Sequence, residues 1–214
     1  MTRAVLRITV TAQTPDHALI GRAASLLRRE GIAAMPTDTL YGLAADPFSL
    51  TAVQRVFSIK DRERERALPL VAASLEQVES HIGPLTPLAR RLAERYWPGP
   101  LTLVVPAPDT LVQDVTAHSG TIGVRVPAHE VTRALCDACD RPLTATSANI
   151  SGQPPTSDPD VVWQAIGERI DVLVDAGLTP GGPPSTIIDV TGLAPRLIRE
   201  GAISWESVLV TIRA

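Results

Sequence analysis

Leu26-Leu27-Arg28-Arg29-Glu30-Gly31-Ile32-Ala33-Ala34-Met35-Pro36-Thr37-Asp38-Thr39 carries the pattern that decides the fold. It opens on the end of an amphipathic helix, whose apolar positions Leu19, Ala23, Leu26 and Leu27 recur at helical spacing. Thr14 is expected to cap that helix, with Pro15 at its first position and Asp16 in its first turn. Gly31 is placed to stop it. Ile32 to Met35 then reads as a short apolar strand that runs straight into small polar residues. Ligands of α/β proteins gather where strands end, so one stretch supplies both an architectural unit and a candidate site.

The same alternation continues along the chain. Helices are expected at 51–59, 87–95, 130–139, 160–166 and 205–209, the last capped by Ser204. Strands are expected at 68–73, 101–105, 121–126, 142–146, 172–174 and 186–190. Interleaving of this kind predicts an α/β (α+β) fold, a mixed sheet flanked by helices. No repeat or linker divides the chain, so residues 1–214 are read as a single domain. The Pro- and Gly-rich stretches at 153–159 and 177–184 read as loops over a site.

Composition narrows the function classes. Hydrophobic residues are 44 % and charged residues 20 %, which is globular. Aromatics are only 3 %, so aliphatic side chains must fill the core. A formal charge of -3 gives no global reason to bind nucleic acid. No apolar run approaches the roughly 20 residues a spanning helix needs, and Met1-Thr2-Arg3 does not open a secretory signal. No membrane association and a reducing, cytoplasmic setting are expected. Cys136 and Cys139 form a C-x-x-C late in a helix, where the dipole does not activate a thiol. No second ligand pair accompanies them, so they read as buried small hydrophobes.

The polar segments each admit two readings. Lys60 and Arg62 follow a helix and precede a strand, so both can project into one cleft as phosphate ligands; they equally open a solvated run of alternating charge. Thr146-Ser147-Ala148-Asn149 ends a strand, where hydroxyl and amide groups suit a nucleotide or simply form an Asx-type turn. Thr37 serves a capped turn or a small ligand. Arg125 lies in the apolar strand Ile122 to Val126, where it needs a substrate carboxylate or an internal Asp. Ser185 follows Gly181-Gly182-Pro183-Pro184, which allows close backbone approach. Neither a P-loop nor a Rossmann glycine fingerprint is present, and Ser147 lacks a nucleophile-elbow context.

Taken in order, these segments closely resemble the YrdC-like threonylcarbamoyl-AMP synthase family from about Ile32 to Gly201. Its K-x-R and S-x-N signatures match Lys60-Asp61-Arg62 and Ser147-Ala148-Asn149, and Pro36-Thr37-Asp38-Thr39-Leu40-Tyr41-Gly42-Leu43, Trp97-Pro98-Gly99-Pro100-Leu101-Thr102, Arg125-Val126-Pro127, Ser185-Thr186-Ile187-Ile188-Asp189 and Arg199-Glu200-Gly201 match as well. The resemblance implies a YrdC-like domain, a twisted mixed sheet around a basic concave cavity. It implies conversion of L-threonine, bicarbonate and ATP, with Mg2+, into threonylcarbamoyl-adenylate and pyrophosphate, for N6-threonylcarbamoyladenosine in tRNA; separate proteins transfer the group. By the same resemblance, Thr37, Arg125, Ala145 and Ser185 would hold threonine, with Arg125 on its carboxylate. Lys60, Arg62, Thr121, Ser147, Asn149, Pro155 and Arg199 would contact ATP. The amine would be carboxylated and the carbamate would attack the α-phosphorus, so no protein nucleophile is expected.

The chain departs from the family pattern at Glu63 and at Ala72 or Ala73, where relatives carry Pro and a polar residue, and is one residue shorter after Gly152. The C-terminal extra domain of longer relatives is expected to be missing after Ala214. Competing readings are a YciO-type paralogue, a carbamoyl-adenylate-forming domain of the hydrogenase-maturation type, and an RNA-binding module. The scarcity of aromatics for base stacking counts against the last.

Overall fold

Ile32, Ala33, Ala34 and Met35 are all buried, yet they serve two cores. Ala33 and Met35 join Ile8, Val172 and Val174, while Ile32 and Ala34 join Leu173 and the larger cluster around Leu70, Leu101 and Leu103. Successive strand side chains point to opposite faces, so an uninterrupted apolar run means that layers cover both sides. The computed structural model describes residues 5–61 and 66–213. Its strands are β1 (Leu6–Thr9), β2 (Ala33–Met35), β3 (Gly42–Ala44), β4 (Leu70–Val71), β5 (Leu101–Pro106), β6 (Thr121–Arg125), β7 (Leu143–Thr144), β8 (Thr146–Ser147), β9 (Val172–Asp175), β10 (Thr186–Asp189) and β11 (Arg196–Arg199). Its helices are α1 (His17–Leu27), α2 (Leu50–Lys60), α3 (Leu75–His81), α4 (Pro87–Tyr96), α5 (Gln113–Thr116), α6 (Glu130–Cys139), α7 (Pro159–Ile166) and α8 (Trp205–Arg213).

The fold is the mixed α/β arrangement expected, with its strands divided between two mixed sheets. One runs β1-β9-β2-β3-β8 and the other β11-β10-β5-β6-β4-β7. The stretch 142–146, expected as one strand, is two: Leu143–Thr144 pairs with β4 and Thr146–Ser147 pairs with β3. The chain therefore passes from one sheet to the other at Ala145, whose N–H donates to the Pro69 carbonyl at 2.8 Å. This crossing draws the ends of several strands towards one place.

Local chemistry explains the other boundaries. Asp16, not Thr14, caps α1, because its carboxylate accepts from the Ala18 and Leu19 N–H groups at 2.7 and 3.3 Å. Gly31 follows the helix as expected, and for a steric reason: a Cβ there would stand 2.5 Å from the Leu26 carbonyl oxygen. Ser204 caps α8 through the Ser207 N–H. Strands β3 and β11 and helices α3 and α5 are not among the expected elements. Arg196 to Arg199 is largely exposed and lacks a buried alternating face, so it becomes a strand through its pairing with β10. Cys136 and Cys139 are buried in α6, and burial pushes both thiols up, Cys139 to about 12. They pack as hydrophobes. Among the described residues no helix is long and apolar enough to cross a membrane.

Candidate active site

The sheet crossing opens a cavity of about 280 Å³ lined by Thr37, Thr39, Tyr41, Gly42, Pro69, Leu70, Thr102, Arg125, Ala145, Ser147, Ser185, Ile187 and Arg199, among others. Of the residues singled out by sequence, Thr37, Arg125, Ala145, Ser147, Ser185 and Arg199 meet here. Lys60 and Asn149 reach it indirectly through Ser147. Thr121 and Pro155 are not brought to the lining, and Arg62 lies outside the described residues. Thr121 shares a face of β6 with Arg125 but sits four residues away, about 13 Å along the strand. Pro155 lies on an exposed loop whose end is tied down by the Tyr41 N–H donating to the Thr156 carbonyl.

On one wall, Lys60 is buried at the end of α2. Its ammonium donates to the Ser147 carbonyl at 2.6 Å, Ser147 Oγ at 3.3 Å, the Asn149 carbonyl at 3.1 Å and Asn149 Oδ1 at 3.2 Å. Asn149 Nδ2 donates in turn to the Ile150 and Gln153 carbonyls. The two signatures are thus one knot that shapes the 147–153 turn, and Ser147 of that turn also lines the cavity.

The opposite wall is cationic. Arg125 Nη1 lies 2.9 Å from Asp38 Oδ1, and each side chain is 11 % exposed. The internal Asp of the two alternatives therefore exists, within the same segment as Thr37. The contact is ionic and not an aligned hydrogen bond, since neither atom has a hydrogen-bond partner. Burial lowers the Arg125 pKa, Asp38 opposes that shift, and the nearby Arg199 adds to it. Burial lowers Arg199 as well. Two partly desolvated guanidinium groups facing one cavity favour an anionic guest, which would relieve both.

Arg199 is aimed by its neighbour across the β10–β11 pair. Its Nε and Nη2 donate to the Ser185 carbonyl at 3.2 and 2.8 Å. Gly201 permits this approach, because a Cβ there would stand 2.1 Å from the Pro184 carbonyl oxygen. Thr186 Oγ1 accepts from the Gly201 and Ile203 N–H groups, both at 3.0 Å. Thr37 spends its hydroxyl locally, donating to the Leu40 carbonyl at 2.7 Å while accepting from the Thr39 N–H. Thr39 and its carbonyl hold the 177–184 loop, through the Gly181 N–H at 2.9 Å and Thr179 Oγ1 at 2.8 Å. That loop does border the site, as its composition suggested. Among the described residues, no His, Cys, Asp and Glu group of three or more could hold a metal ion.

The chain is similar to known proteins over most of its length. The profile of the Sua5/YciO/YrdC family, described as "Telomere recombination", matches residues 25–201. A protein of Pyrococcus abyssi named threonylcarbamoyl-AMP synthase is 40 % identical over 187 residues, which is 87 % of this chain and 55 % of that protein. One of the same name from Marinobacter nauticus is 36 % identical over 181 residues, 83 % of this chain and 94 % of that protein. The crystal structure of P. abyssi Sua5 complexed with L-threonine superposes with a TM-score of 0.91 at 36 % identity, over 97 % of this chain and 61 % of that one. The chain thus spans little more than half the length of its Pyrococcus relative.

Proposed function

The chain belongs to the Sua5/YciO/YrdC family, and from that premise we propose that it is a nucleotidyltransferase, an L-threonylcarbamoyladenylate synthase. The observation that carries the reading is the meeting of Arg125, Arg199, Ser185 and Ser147 in one cavity beside the buried Lys60. The threonine-bound Pyrococcus relative, similar over nearly the whole of this chain, supports threonine as the amine. The substrates are L-threonine, bicarbonate and MgATP. The product supplies threonylcarbamoyl groups to tRNA through separate transfer proteins, in the cytoplasm.

The reaction balances in two steps. The threonine ammonium and bicarbonate give N-carboxythreonine, one water and one proton. A carbamate oxygen then attacks the α-phosphorus, and the α–β bridging P–O bond breaks with its electron pair leaving on pyrophosphate. No side chain needs to form a covalent intermediate. Arg125 binds the threonine carboxylate as a fork, with Thr37, Ala145 and Ser185 completing that end. Arg199, Ser147 and the charge of Lys60 hold the phosphates, with Arg62 as a further cation, and Asn149 shapes the turn beneath them. The rest of the nucleotide extends past the cavity, along the face that carries Thr121 and beneath the Pro155 loop. Magnesium enters as part of MgATP, held by the phosphates, which is how it often binds in nucleotide sites. Rate enhancement comes from fixed positive charge opposite a departing polyanion and from positioning.

The test is pyrophosphate release from ATP with threonine and bicarbonate omitted in turn. Dependence on both is expected. Dependence on bicarbonate alone would replace this reading with that of a paralogue using another amine. RNA affinity that falls steeply with salt, alongside no ATP turnover, would replace it with an RNA-binding module.

A further inference from the structure

Thr102, on β5, has no role in the account so far, yet it lines the cavity and is buried there. Its Oγ1 lies 2.9 Å from Ser185 Oγ. Arg199 Nη2 stands 3.3 Å from the same Ser185 oxygen, besides its bonds to the Ser185 carbonyl. A guanidinium can only donate, so Ser185 Oγ accepts from Arg199. One hydroxyl proton is consumed between Ser185 and Thr102, whichever of them donates. Among the described residues the other hydroxyl proton has no acceptor, and both residues line the cavity. Rotamer freedom is limited here: a Cβ on Gly123 would already stand 3.2 Å from the Thr102 methyl, so that methyl packs against the bare glycine backbone and leaves Oγ1 towards Ser185.

The cluster therefore presents donors and no free acidic group, which is the chemistry of an oxyanion site. We infer that Thr102, Ser185 and Arg199 form a subsite for the bicarbonate-derived carboxyl group, with Thr102 as a specificity-determining donor. This rests on the proposed synthase reaction. In that reaction Ser185 serves the threonine end and Arg199 the phosphate end, and these two are hydrogen-bonded to each other. The carboxyl carbon that joins the amine to the α-phosphorus belongs at their junction. Threonine's own carboxylate is taken by Arg125, which leaves the spare hydroxyl proton for the carboxyl in transit.

Thr102→Val keeps the shape and removes the donor. Its KM for bicarbonate is expected to rise about tenfold, the size of one hydrogen bond to a charged group. The KM values for threonine and ATP should stay within about twofold, an interval a lost hydrogen bond exceeds. Thr102→Ser should restore the wild-type value, and Ser185→Ala, which breaks the chain from its other member, should also raise the bicarbonate KM. An unchanged bicarbonate KM in Thr102→Val, or an equal rise for all three substrates, overturns the subsite. Line broadening of 13C-bicarbonate on adding protein reads the same site without turnover. Broadening by the wild type that is lost in Thr102→Val supports the subsite, and equal broadening by both proteins sinks it. A wild-type enzyme whose pyrophosphate release ignores threonine would instead refute the synthase reading, independently of the bicarbonate spectra.

Discussion

The two walls of the cavity use cations in opposite ways. On the α2 side, the three protons of the Lys60 ammonium meet four oxygens within 3.3 Å, two of them backbone carbonyls. On the β6 side, Arg125 Nη1 and Asp38 Oδ1 meet in a 2.9 Å ion pair without hydrogen-bond alignment, and the neighbouring His129 Nδ1 is buried with no hydrogen-bond partner. A polar group buried without a partner costs roughly 1–3 kcal/mol. Such groups are rare in folded proteins. One wall is thus finished by the fold itself, while the other keeps an ion pair and an imidazole nitrogen whose hydrogen-bonding capacity is unused. Equal charge in one cavity does not imply equal duty.

Removing the finished wall should do the most damage. Lys60→Met is expected to destabilise the protein by about 3 kcal/mol, the scale for stripping one partner from a buried charged network, measured by urea unfolding. Nucleotide affinity should fall with it, because Ser147 and the turn through Asn149 lose their anchor. A Lys60→Met protein with wild-type stability and weakened ATP binding would erase the contrast, since Lys60 would then be a ligand and no staple.

What the sequence made legible follows the same division. Motif residues can be located in the sequence without their bonding being legible: Lys60 and Ser147-x-Asn149 stand in matching segments, while the ammonium-to-carbonyl bonds that join them depend on the sheet crossing at Ala145. That crossing is invisible in Leu143 to Ser147, which reads as one strand because hydrogen-bond partners, and not side-chain pattern, change at Ala145. Arg125 was conspicuous as a charge inside an apolar strand, but its partner Asp38 lies 87 positions earlier (125 minus 38) in a segment that resembles a plain polar turn. Thr102 closes the matched segment that begins at Trp97, yet nothing in the sequence assigns it a role. A threonine in a strand is ordinary, and only the 2.9 Å contact with Ser185 sets it apart.

The open wall predicts a smaller and more selective loss. Arg125→Lys keeps the positive charge beside Asp38 but gives up the planar fork. The KM for threonine should rise about tenfold, a fraction of the energy of a bidentate pair, with the ATP KM and the unfolding midpoint close to wild type. Steady-state kinetics with threonine varied make the measurement. A threonine KM that does not move would show that Arg125 is satisfied by Asp38 alone and is as finished as Lys60.

The smallest effect separates the walls by pH. Burial lowers the His129 pKa below its usual value near 6.5, while Asp38 and Glu130 pull it back upward. The unfolded chain then binds a proton at a pH where the folded protein still refuses it. Its contribution to stability is full above about pH 6.5 and declines as the pH falls towards the lower folded value. The unfolding free energy should therefore slope downward between about pH 6.5 and pH 5, before carboxylates titrate, and His129→Asn should flatten that limb. The groups acting on His129 fix the sign: protonated His129 would have to share the Asp38 carboxylate with the Arg125 guanidinium already in contact with it. If His129→Asn leaves the slope untouched, the histidine is already paired or solvated, and the β6 wall is less open than the buried His129 Nδ1 implies.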